Sequence, residues 1–165
     1  MEAHTPARHT IYKSAILPKL EYCCSVWGPH STTLINELEK TQNFAGRVIT
    51  KNWNSDYATF LNDMNWLPLS TRRKMQKLKV CYNILNDFSC IPSTSFTLHP
   101  RPSPRHPHNR IIFMPLVKTV AHKSSFFIDV IYLWNILPLT VVSSQSPSSF
   151  KSALQNYVYT HSLSL

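Results

Sequence analysis

A chain of 165 residues, 43% hydrophobic and 12% aromatic, has the material for one domain with a real core. Its 17 Lys and Arg against 8 Asp and Glu leave a formal charge of +9, although only 15% of residues are charged. Two glycines, Gly28 and Gly46, are too few for a phosphate-cradling loop, and eight carboxylates with no adjacent pair leave little for two-metal or paired-acid chemistry.

Residues 1–10 hold Glu2, His4, Arg8 and His9 and no apolar run of the kind a signal peptide needs. Reduced thiols in the cytoplasm or nucleus are the expectation. Residues 11–27 read as a helix, with Ile11, Ile16, Leu20, Cys23, Cys24 and Trp27 mostly on one side and a kink or split at Pro18. Gly28-Pro29 stops it. Ser31 or Thr32 can cap a second helix to about residue 51, whose apolar positions Leu34, Ile35, Leu38, Ala45, Val48 and Ile49 keep a helical period. Glu37, Glu39, Lys40, Asn43 and Arg47 fall largely on its other side. A short third helix starting at Ser55 carries Tyr57, Phe60, Leu61 and Met64.

The fourth helix has the clearest pattern. Ser70 or Thr71 can cap a segment to about residue 86 with Met75, Leu78, Tyr82 and Leu85 on one stripe. Arg72, Arg73, Lys74, Lys77 and Lys79 crowd its first two turns, where the helix dipole disfavours cations. From residue 91 to 115 six prolines forbid regular helix and favour extended backbone, from which His99, Arg101, Arg105, His106, His108 and Arg110 project. Residues 110–114 and 116–120 have room to pair as one small β-hairpin. Ser124 or Ser125 opens an apolar helix with Phe126, Phe127, Val130, Ile131, Leu133, Trp134 and Leu137, closed by Pro138. Its run to residue 139 is broken by Asp129, Asn135 and Pro138, short of the ~20 apolar residues of a membrane span. Ser146-Pro147 begins a last helix with Phe150, Leu154, Tyr157 and Val158. The expected fold is therefore mainly α, with five to six helices. It divides into a helical region at 1–88, a proline-rich basic linker at 89–123, and a helical segment at 124–165 packing on the first.

Ten basic residues and one acid lie between residues 67 and 127, while the rest of the chain holds seven of each. That unevenness suits a polyanion-facing surface, and a solvated helix face followed by a charged linker would also produce it. Metal ligation is weakly signalled. Cys81 and Cys90 are too far apart for a zinc knuckle, and His106 and His108 flank a proline. No Gly-x-Ser-x-Gly nucleophile elbow occurs. Trp27, Trp66 and Trp134 read as core anchors.

The run from Tyr12 through Leu17-Pro18, Glu21-Tyr22-Cys23-Cys24, Val26-Trp27-Gly28-Pro29 is followed by Leu38-Glu39, Gln42-Asn43 and Arg47. Trp66-Leu67-Pro68-Leu69, Arg72-Arg73, Leu85-Asn86, Phe126-Phe127, Trp134-Asn135, Leu137-Pro138 and Ser149-Phe150-Lys151 come after in order. Together they resemble the C-terminal, post-palm region of non-LTR (LINE-type, jockey-like and chicken-repeat-like) retrotransposon reverse transcriptases, over nearly the whole chain. The resemblance implies a thumb-like, non-catalytic part of an RNA-directed DNA polymerase, joined in full-length relatives to an upstream palm. The palm aspartates that hold two metal ions in such polymerases have no counterpart here, where Asp56, Asp63, Asp87 and Asp129 are scattered.

A thumb grips a template–primer duplex by its backbone. The expectation is that Arg72, Arg73, Lys74 and Lys77 face the phosphates of RNA or an RNA–DNA duplex, with Arg101, Arg105 and Arg110 as a second contact. No catalytic residue, cofactor or metal is expected. The rival expectation is a structural or protein-interaction segment whose apolar faces pack on a partner, with little nucleic-acid affinity and a tendency to self-associate.

Overall fold

The computed structural model describes residues 4–100 and 107–160. Proline sets its first departure from regular helix. α1 (His4–Ile11) runs into a π-helical turn (Tyr12–Ile16) and then α2 (Leu17–Glu21). Pro18 offers no N–H to the carbonyl one turn back and would press on it in an unbroken α-helix. The preceding turn widens instead, and Leu17 N–H bonds to the Tyr12 carbonyl. Cys23 then takes a left-handed conformation (φ 49°), so α3 (Cys24–Trp27) is a separate turn. The helix expected at 11–27, kinked or split at Pro18, is thus in pieces: the π-helical turn and α2 meet just before Pro18, and a further break falls at residues 22–23.

α4 (Thr32–Thr50) and α5 (Tyr57–Asp63) follow with Ser31 and Asp56 at their N-cap positions, neither making a side-chain cap bond. α6 (Leu69–Leu85) carries the basic cluster. After a 3₁₀ turn (Ser93–Ser95) come α7 (Val120–Lys123), α8 (Phe126–Asn135), α9 (Leu139–Val142) and α10 (Pro147–Thr160). The fold is mainly α. The chain separates into two compact units, Met1–Arg73 and Lys74–Leu165, with the boundary inside α6.

In the first unit Trp66 is the aromatic centre. Tyr12 stacks on it at 4.5 Å, His9 at 5.4 Å, and Phe60 meets it edge-on at 5.3 Å. Its indole N–H donates to His9 Nε2 at 3.2 Å. Gly46, mid-helix in α4, lets the Phe60 ring press against the backbone, for a Cβ at that position would overlap the ring. Glycine costs about 0.5–1 kcal/mol of helix stability relative to alanine, and the close approach of α4 to Phe60 is what it serves.

The second unit is built on Tyr82, Trp134 and Phe150. Tyr82 stacks on Phe150 at 4.3 Å and its hydroxyl donates to the Ser144 carbonyl at 2.7 Å. The expected stripe on α6 is buried at Met75, Leu78 and Tyr82, with Leu85 at its margin. Within the segment expected to be a linker, Phe96, His108, Ile111 and Ile112 are buried, whereas Leu98, Phe113, Met114, Leu116 and Val120 are exposed. Asn135 holds it by mimicking a strand, its Oδ1 accepting from Ile112 N–H and its Nδ2 donating to Ile112 O, both at 2.9 Å. The Trp134 indole N–H donates to Arg110 O at 2.9 Å.

The hairpin expected between 110–114 and 116–120 does not form. An isolated antiparallel bridge joins Leu98 to Ile112 instead, with His99 N–H on Ile111 O and Phe113 N–H on Thr97 O. Its position follows from Asn135, which fixes the backbone of Ile112. No strand occurs among the described residues, and none of their helices is long and apolar enough to cross a membrane.

Candidate nucleic-acid interface

A phosphate-binding helix needs cations whose charge is not already spent. On α6 the first unit supplies a carboxylate for each of the two arginines. Arg72 forms a two-pronged pair with Glu21 from α2, through Nε to one oxygen and Nη2 to the other, the latter at 3.1 Å. Arg73 turns inward and is 4% exposed. Its Nη2 lies 4.0 Å from Glu39 Oε1, and both Nη atoms lack a hydrogen-bond partner among the described residues. Burial pulls the Arg73 pKa down, with Glu39 opposing. A guanidinium still titrates far above neutrality, so the charge stays.

Glu39 on α4 organises this region. Its carboxylate accepts from Tyr57 Oη at 2.5 Å, from Leu69 N–H at 3.1 Å and from Ser70 N–H at 2.6 Å. The last two are orphan donors of the α6 N-terminus, so a residue thirty positions away does the work of an N-cap. This answers the dipole problem that the sequence poses. The cations of the first turns sit beside an anion placed at the helix N-terminus, where a negative charge is favoured. Burial and the Glu39 bond together push the Tyr57 hydroxyl pKa upward, and burial pushes that of Tyr12 up to about 12.

In the second unit Lys77 Nζ is 2.7 Å from Asp129 Oδ2 on α8. Lys74 is half-buried, and desolvation lowers its pKa against the pull of Asp129. Arg110 grips the other end of α6. Its Nη1 and Nη2 both reach Asn86 Oδ1 at 3.1 Å, and Nη2 lies 3.5 Å from the Leu85 carbonyl. A cation at the helix C-terminus is again of the favoured sign.

Arg72, Arg73 and Lys77 are engaged by Glu21, Glu39 and Asp129, and Arg110 caps α6. Lys74 is partly withdrawn from solvent, and Arg101 and Arg105 lie outside the described residues. The organising residues Glu21, Glu39, Asn86 and Asp129 were not among the candidates. The signal pointing to the carboxylates was electrostatic, since cations crowded at a helix N-terminus call for an anion nearby; nothing of the kind pointed to Asn86.

Cys24, Cys81 and His108 are built into the fold. Cys81 is fully buried on α6 and burial drives its pKa up, while Cys24 is buried and Cys23 and Cys90 are exposed. His108 Nδ1 accepts from Arg110 N–H, so the proton sits on Nε2, 3.2 Å from the Trp134 carbonyl. No group of three His, Cys, Asp or Glu is placed to hold a metal among the described residues. Compared with protein-family models, curated proteins and solved structures, the chain matches none.

Proposed function

We propose that this chain is a non-catalytic segment of the kind that follows the palm in a non-LTR reverse transcriptase, and that its work is to dock on protein. The observation that carries this reading is how the first unit spends its side chains. Its cations on α6 are absorbed by Glu21 and Glu39, while large apolar groups remain outside. Tyr22, Val26 and Leu34 are 75%, 85% and 56% exposed, and Trp27, Phe44 and Trp53 join them. Apolar surface on this scale is a recurrent mark of interaction sites.

A second reading keeps backbone contact with RNA or an RNA–DNA duplex. It is favoured by the formal charge of +9 and by Lys118, His122 and Lys123, which are exposed. One pair of titrations separates the two. The docking reading expects strong uptake of an environment-sensitive apolar dye by the folded chain, and RNA–DNA duplex affinity no tighter than the roughly 10⁻⁴–10⁻⁶ M of non-specific binding at physiological salt. Nanomolar, steeply salt-dependent duplex binding with no dye uptake would overturn it.

A further inference from the structure

The first unit contains a groove walled by two helical segments. α1 and the π-helical turn contribute Arg8, Ile11, Tyr12 and Ile16, and the second half of α4 contributes Phe44, Ala45, Val48 and Ile49. The cavity is about 220 Å³, and its lining is almost wholly apolar. Tyr12 and Ile49 form its floor and are buried, while Ile11, Ile16, Phe44 and Val48 stand exposed around it. Trp53 lies against Phe44 with ring centroids 6.1 Å apart, extending the rim.

The shape fits a helix. The α4 wall presents residues 41, 44, 45 and 48, one face repeating every three to four positions over about two turns. Two helices flanking such a furrow leave a seat for the side-chain ridge of a third. The volume suits one or two large aliphatic side chains, as an amphipathic helix offers at i and i+4.

Charge chooses the occupant. No carboxylate occurs in residues 4–20 or 41–55, which contain both walls, whereas Arg8, Lys13, Lys19, Arg47 and Lys51 do. The nearest acid along α4 is Glu37, and Lys40 Nζ neutralises it at 2.7 Å. Arg8 closes one side by donating to the Val48 carbonyl at 3.0 Å, which leaves its charge in place. A second copy of this chain would bring its own excess of nine positive charges and the same carboxylate-free walls. We infer that the groove receives an amphipathic helix of another protein, one with an aliphatic ridge flanked by Asp or Glu. The inference rests on the docking reading and names the chemistry of its partner.

The test uses the full chain and a fluorescein-labelled peptide with leucines at i, i+3, i+4 and i+7 and glutamates on either side. Fluorescence anisotropy is read against a scrambled peptide of identical composition. Binding at least tenfold tighter than the scramble is expected, with a tenfold or greater loss in Phe44→Ser and in Ile11→Ser. Both side chains are exposed, and circular dichroism checks that both variants keep the parental helicity. Equal affinity for peptide and scramble, or no loss in either variant, would overturn the inference. So would concentration-dependent dimerisation that the same substitutions abolish, which would make the occupant a second copy. Failure here combined with dye uptake and weak duplex binding would leave the docking reading standing on Tyr22, Val26 and Leu34. Tight duplex binding would remove both.

Discussion

Between Met1 and Arg73 the described residues bury five apolar side chains, Tyr12, Cys24, Ile49, Phe60 and Leu69, whereas between Lys74 and Leu165 they bury nineteen. The first unit places a charged network, Glu39 with Arg73, where the second places Trp134, Tyr82 and Phe150. Apolar burial contributes roughly 25 cal/mol per Å², while a buried ion pair often does no better than a hydrophobic replacement. The contrast teaches that the first unit is poor in core, while large apolar side chains stand uncovered in both units. A unit with a small core has the more to gain from covering its exposed side chains with a partner.

The largest expected effect lies in the unit with the larger core. Trp134→Ala should cost about 3–5 kcal/mol, because it removes a fully buried ring and strands the Arg110 carbonyl. Hydrogen exchange should show the slow amides of α8 and α10 accelerating while those of α4 hold. Equal acceleration in α4 would break the division into two units.

In the first unit Glu39→Leu should cost on the order of 3–5 kcal/mol, since Arg73 would be left as an uncompensated buried charge. Arg73→Met should cost under about 1.5 kcal/mol or stabilise, because Glu39 retains Tyr57, Leu69 N–H and Ser70 N–H. Urea unfolding of the two variants reads the asymmetry. Comparable losses would mean that Arg73 has partners beyond Glu39.

Two substitutions test close contacts, one in each unit. Gly46→Ala should cost about 1–3 kcal/mol through overlap with Phe60, despite alanine's better helix propensity. Asn135→Ala should cost a similar 1–3 kcal/mol by leaving the Ile112 N–H and carbonyl unpaired. Thermal melts read both, and a stabilised Gly46→Ala would show the α4–Phe60 approach to be loose.

The smallest effect is a pH dependence. Burial, aided by Lys13, lowers the His9 pKa below 6.5, and its Nε2 must stay unprotonated to accept from Trp66. The unfolded chain then binds the proton more readily. The His9 contribution is complete above pH ~6.5 and is lost as pH falls through the lowered folded value. Replacing His9 by Asn should flatten the acid side of the stability curve in that window. An unchanged curve would show that the ring bond contributes nothing.

The helices that sequence reading placed best are those with local punctuation. Ser31, Ser125 and Ser146-Pro147 stand at or beside helix starts because an apolar period begins within a few residues of each, and of the three serines Ser146 accepts a cap bond, from Ser149 N–H. What was not legible depends on distant partners. Glu39 meets α6 across 30 positions and Lys77 meets Asp129 across 52, and no periodicity announces either. Residues 107–113 read as linker because they belong to a proline-rich run that forbids regular helix, yet Trp134 and Asn135 on α8 bond the backbone of Arg110 and Ile112. A proline-rich segment can be ordered when another element supplies its hydrogen bonds. The basic run on α6 is legible as charge, but its ion-pair partners are not, because charge in sequence does not reveal which carboxylate it meets.

The central claim is that the α6 cations serve the fold. The measurement that tests it most directly is the salt dependence of residual RNA–DNA duplex binding, in the parent chain and in a variant carrying Arg72→Gln, Lys74→Gln and Lys77→Gln with parental helicity. The account predicts the same slope of log affinity against log salt in both. Three lost phosphate contacts would instead flatten the slope by about 2–3, and that result would contradict it.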